Sequence, residues 1–141
     1  MLKNVPSILT PELLRIMMEM GHGDEIVIGD GNFPAASNAR RLVRLDGHGV
    51  CDVLDAMLQF LPLDTYVDAP VGLMAVTPGD DVKPVIWDEY KKIIARREGA
   101  HKIELIERFE FYERARNAYA IVATGETALY ANIILKKGVV K

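Results

Sequence analysis

The chain of 141 residues, half of them hydrophobic and 26% charged, is long enough for one compact domain. Its 17 Lys and Arg against 20 Asp and Glu leave a formal charge of -3, and no basic stripe offers the phosphate contacts that a nucleic-acid partner requires. A single cysteine, Cys51, rules out an intrachain disulfide framework, and its apolar surroundings read as core.

The amino terminus, MLKNVPSILTPELL, is not laid out as a secretory signal, because Pro6 interrupts its short apolar stretch. No run approaches the ~20 apolar residues of a membrane helix, so the expectation is a cytoplasmic protein without a membrane partner. Thr10-Pro11-Glu12 supplies a capping hydroxyl, a proline for the first helical position and an early acid. The helix they open carries Leu13, Leu14, Met17 and Met18 toward a core or a subunit contact, and Gly21 is placed to end it.

Glu25 to Ile28 reads as a short buried strand, and Arg41 to Leu45 as a second that stops at Asp46-Gly47. Helical spacing returns from Val50 to Leu61. A third strand runs from Val71 to Val76 before Pro78-Gly79-Asp80, and Pro84 opens a helix turning Ile86, Trp87, Tyr90, Ile93 and Ile94 inward, with Gly99 beyond its end. A strand at Ile103 to Ile106, a helix at Arg108 to Asn117 and strands at Tyr119 to Ala123 and Ile133 to Leu135 complete the pattern. Strands alternating with helices from end to end predict a single layered α/β domain over residues 1–141, with a largely parallel β-sheet flanked by helices.

No metal-ligand spacing occurs, since His22, His48 and His101 are far apart and Cys51 has no partner cysteine. Phosphate-loop, nucleophile-elbow and dinucleotide-binding glycine patterns are also missing. Two places remain. In GHGDEIVIGDGNFP, His22 precedes a buried strand and Asp30 follows it. An imidazole at such a junction either moves protons near neutral pH or caps the helix before it. Asp30 lies where open α/β sheets bind ligands, though Asp-Gly also favours an Asx turn. Farther on, Arg108, Tyr112, Arg114, Tyr130 and Asn132 combine cations, phenols and an amide suited to a ligand with many hydroxyls.

Four stretches, GHGDEIVIGDGNFPA, RFEFYERA, ATGE and LYANIILKKG, resemble the L-fucose mutarotase family, relatives of D-ribose pyranase, and the likeness runs in order from Leu2 to Val139. The resemblance implies an α/β sugar anomerase without a cofactor, assembled as a homodecameric ring with sites at subunit contacts. It implies that His22 is the proton donor and that Asp30, Arg108 and the stretch Tyr130-Ala131-Asn132 hold the monosaccharide, L-fucose, with a non-catalytic sugar-binding scaffold as the alternative. Gly31 stands where fucose-type relatives often have alanine, and Ala36 where some have a second histidine. At ~3.3 Å per residue, the strand between His22 and Asp30 separates them by about 17 Å or more. A monosaccharide cannot span that distance, so the expectation is that different chains supply the two residues.

Overall fold

Alternation along the strands sends side chains to two buried faces, and helices cover both. The computed structural model describes residues Met1–Lys141 and contains five helices and six strands. In β1 (Glu25–Gly29), Ile26 and Ile28 enter the larger core and Val27 the smaller. β5 (Ala120–Thr124) divides likewise, with Ala120 and Val122 on one face and Ile121 and Ala123 on the other. Burial on both sides explains why these strands read as continuous apolar runs.

The larger core is closed by α1 (Pro11–Glu19), α3 (Val50–Leu58) and α4 (Ile86–Glu98), and the smaller by α2 (Ala35–Asn38) and α5 (Arg108–Asn117). Thr10 caps α1 as its residue type predicts, its hydroxyl accepting from Leu13 N–H at 3.2 Å. The helix ends at Glu19, two residues before Gly21, and Met20 between them turns extended, so the glycine is not a left-handed cap there. Gly99, at φ 79°, does perform that role after α4. Met17 is buried, but Met18 is 86% exposed and lies outside the core. Cys51 is half-buried against the larger core, and burial pushes its thiol up to about 11. The short α2 has no sequence period of its own, since four residues complete barely one turn.

The remaining strands are β2 (Leu42–Leu45), β3 (Val71–Met74), β4 (Ile103–Ile106) and β6 (Ile133–Lys136), and the sheet order is β2-β5-β1-β6-β3-β4. β1, β2 and β5 run parallel, as do β3 and β4, while β6 is antiparallel to both β1 and β3. The reason is the short Gly125–Asn132 connection. A parallel neighbour needs a crossover long enough to return to the starting edge, whereas this segment passes over the end of β1 and enters β6 at the same edge. One edge of the sheet thus gathers the carboxyl ends of the parallel strands together with the residues just before β6. No helix is long and apolar enough to cross a membrane.

Candidate functional site

Four polar or charged residues are buried, and all lie at the ends of the strands. Asp30, Thr124 and Asn132 sit at the carboxyl edge, while Asp64 lies beside the amino end of β1. Burying such groups costs free energy unless each is paired. No buried side-chain nitrogen or oxygen lacks a hydrogen-bond partner.

At the carboxyl edge, Asn132 Oδ1 accepts from Asp30 N–H at 2.8 Å. The Asp30 carboxylate accepts from Asn32 N–H at 3.0 Å and from Ala131 N–H at 3.4 Å. Burial nevertheless pushes the Asp30 carboxyl above its ordinary range; these amides pull it back and the nearby charge of Glu126 adds to the rise. A carboxylate in this state is a strong acceptor for a donor that replaces lost water.

The next turn of chain is held as firmly. Ala131 C=O accepts from the Tyr90 hydroxyl at 2.7 Å, and Tyr130 C=O from the Trp87 indole N–H at 2.7 Å. Arg108 opens α5 at this edge and donates to the Tyr112 hydroxyl at 3.2 Å. The Tyr112 ring lies 5.8 Å from that of Phe33, which follows Asp30 by three residues. Asp30, Arg108, Tyr130, Ala131 and Asn132, the residues that the resemblance names for holding the sugar, therefore belong to one edge. Two hollows flank the cluster, one of about 260 Å³ lined by Asp30, Phe33, Arg44 and Thr124, and one of about 350 Å³ lined by Thr77, Glu107, Arg108 and Phe109.

Thr124 and Glu126 clasp the Asp30 loop. The Thr124 hydroxyl donates to Gly29 C=O at 2.7 Å, and Glu126 C=O accepts from Gly31 N–H at 2.8 Å. The Glu126 carboxylate accepts from Val50 N–H at 3.1 Å, capping α3 from a distance, and from Ala128 N–H at 3.0 Å. A Cβ added to Gly31 would stand 3.1 Å from Glu126 O, so an alanine there presses on this clasp.

His22 is at the other end of β1. Its Nε2 lies 3.0 Å from Asp64 Oδ1, with the imidazole 45% exposed and the carboxylate 3% exposed. The Tyr66 amide and the His22 ring hold the Asp64 carboxyl below its ordinary range against the opposing effect of burial. A carboxylate there fixes the proton on Nε2, which leaves Nδ1 as the nitrogen that exchanges protons. The Tyr66 ring packs 5.3 Å from the imidazole. His22 thus neither caps α1 nor bonds a loop carbonyl, and it does not meet Asp30 within one chain.

The carboxyl-terminal polar group divides. Arg114 lies six residues along α5 from Arg108, roughly 9 Å at ~1.5 Å per residue. It pairs with Glu25 at 2.5 Å and with Glu104, away from the Asp30 cluster. The largest hollow, about 450 Å³, lies over these ion pairs, where Arg114 already has its partners. His48 is exposed in the turn before α3, and His101 bonds Glu98 C=O in a loop.

No sequence motif marks Asp64, Asp80, Trp87 or Tyr90 for the site, whereas Thr124 and Glu126 fall in the ATGE stretch that follows a strand. Asp64 is 42 residues from His22, with nothing local to mark the pairing. Trp87 and Tyr90 did carry a signal. Inward-facing indole and phenol groups need polar partners, and here those partners are the carbonyls of Tyr130 and Ala131.

Residues 3–140 match the family described as the RbsD / FucU transport protein family. The chain is 51% identical to the human fucose mutarotase, over 98% of its own length and 94% of that protein. It is similar to the crystal structure of the fucose mutarotase from Streptococcus pneumoniae in complex with L-fucose, at 52% identity and a TM-score of 0.95, covering 99% of this chain and 100% of that one. The Bacillus subtilis RbsD structure complexed with D-ribose, at 23% identity and a TM-score of 0.77 over the whole of both chains, shares the fold.

Proposed function

The chain belongs to the RbsD / FucU transport protein family, and from that premise we infer that it is an L-fucose mutarotase, an isomerase interconverting the α and β anomers. The observation that carries this reading is the buried Asp30 and Asn132 pair, set among phenol, guanidinium and fixed main-chain groups in a chain this similar to fucose mutarotases.

Anomer exchange opens a pyranose to its aldehyde and closes it on either face, with protons moving at the ring oxygen and the anomeric hydroxyl. Free sugars do this slowly in water. General acid–base catalysis, worth ~10² to 10⁴-fold, is therefore adequate. In the mechanism we propose, His22 as imidazolium donates a proton to the ring oxygen. Asp64 steadies the ring and its charge, Asp30 accepts sugar hydroxyl protons, and Arg108, Tyr130 and Asn132 orient the pyranose beside Ala131.

The two ends of β1 serve as half-sites, with His22 of one copy facing Asp30 of another. Their separation by a whole strand supports this arrangement. So do exposed apolar side chains near each half-site: Tyr66 beside His22, and Phe109 beside Arg108. Head-to-tail contact of two different edges closes a ring when the rotation permits, and we propose a homodecamer.

Exchange between the α and β anomeric proton signals of L-fucose, measured by NMR at catalytic protein concentration, tests the function. The expected result is exchange well above the spontaneous rate with no ketose formed. Sugar binding in calorimetry with exchange at the background rate would identify a binding scaffold instead.

A further inference from the structure

Tyr130 has a main chain in the left-handed region, at φ 55°, which a bulky residue occupies only when its surroundings impose it. Its carbonyl is held by the Trp87 indole, and its phenol is held from the other side by the loop after β3. Tyr130 Oη donates to Asp80 Oδ2 at 2.6 Å and accepts from Thr77 N–H at 3.3 Å. That loop is itself pinned. Asp80 N–H donates to Thr77 C=O at 3.0 Å, Asp80 Oδ1 accepts from Val82 N–H at 3.1 Å, and Gly79 supplies φ 92° between them.

A phenol has one proton and two lone pairs. With the proton committed to Asp80 and one lone pair to Thr77, a single lone pair remains for a ligand. Toward a sugar, therefore, Tyr130 accepts a hydroxyl proton and does not donate one. The phenol bond, with the Val82 amide, also holds the Asp80 carboxyl below its ordinary range, so at neutral pH it is the ionised, acceptor-only partner of the phenol.

Resting on the mutarotase reading of this edge, we propose that Asp80 is a positioning residue for anomeric proton removal, aiming Tyr130 Oη as an acceptor and taking up the phenol proton as the anomeric proton arrives. In ring opening, the anomeric O–H bond breaks and its proton passes to Tyr130 Oη. The phenol proton passes to Asp80 Oδ2, and the freed electron pair forms the carbonyl of the aldehyde. The bond from the anomeric carbon to the ring oxygen breaks with its electron pair on that oxygen, which takes a proton from the His22 imidazolium. Closure reverses each transfer after the aldehyde has turned.

The test is Asp80→Asn, in which the amide oxygen at the Oδ1 position still accepts from Val82 N–H and pins the loop, while the NH2 at the Oδ2 position takes up no proton. For L-fucose anomer exchange, kcat should fall ~10- to 100-fold with KM changed by less than about twofold, and with an unchanged melting temperature. Asp80→Glu should recover part of the loss, and in a Tyr130→Phe background Asp80→Asn should add nothing. Wild-type kcat in Asp80→Asn, or an equal loss with and without the Tyr130 hydroxyl, would overturn the proposal while leaving the activity standing. Wild-type protein that leaves fucose at its spontaneous rate would instead overturn the activity, and this role with it.

Discussion

His22 Nε2 lies 3.0 Å from the carboxylate of Asp64, a residue 42 positions along the chain and almost wholly buried beside the amino end of β1. The pairing gives an otherwise exposed imidazole a fixed direction and a defined proton-exchanging nitrogen. His22→Ala should reduce L-fucose anomer exchange to the spontaneous rate. Asp64→Asn preserves an acceptor for Nε2 but removes the charge that stabilises the imidazolium, and kcat should fall about tenfold or more. NMR exchange rates at saturating fucose check both.

Glu126 joins three segments that meet at the carboxyl edge. Its carboxylate caps α3 at Val50 and ties Ala128, while its carbonyl holds Gly31 next to Asp30. Gly49, the residue at the cap position of α3, has no side chain for the task. Glu126→Ala should cost about 1–2 kcal/mol in denaturant unfolding, since it orphans two amides. It should also raise KM for fucose, because the main-chain carbonyl that holds Gly31 beside Asp30 loses the side-chain bonds that anchor its segment. Glu126→Gln, whose one amide oxygen can serve only one of these two amides, should lose about half as much stability.

Asp55 on α3 accepts from Arg96 and from Nε and Nη2 of Arg97 on α4, at 2.8 to 3.0 Å. Chiefly through Arg97, its carboxyl is pulled down to about 2. A carboxyl lower in the folded chain than the ~3.9 of the unfolded one contributes stability above that value and loses it as pH falls toward about 2. The cluster is about one-third exposed at Asp55, so Asp55→Asn should cost only about 0.5–1 kcal/mol at pH 7. The gap between variant and wild type should close on acidification through that window, as urea unfolding at several pH values will show.

Most of the scaffold was legible because both sheet faces are buried and each strand is a compact apolar run between turn residues. Thr10-Pro11 and Gly99 named two helix ends by chemistry alone. The reversed β6 was not legible, since its direction depends on where the Gly125–Asn132 connection travels and not on the composition of Ile133 to Lys136. That reversal is what brings Asn132 to Asp30, so residue types could nominate the cluster while topology had to assemble it. Arg114 shows the opposite error: it shares a helix with Arg108, yet its position along α5 sends it to Glu25 and Glu104. Asp64 and Asp80 escaped notice because a carboxylate in a turn looks the same whether it serves the turn or a distant side chain.

The central claim is that one sugar is served by the His22 edge of one copy and the Asp30 edge of another. Co-expression of differently tagged His22→Ala and Asp30→Ala chains, with purification through both tags, yields mixed oligomers for the same NMR assay. In a random mixture each site draws either half from either parent with even odds, so about a quarter of the wild-type rate should return. Mixed oligomers no more active than the two parent variants would contradict a site shared between chains.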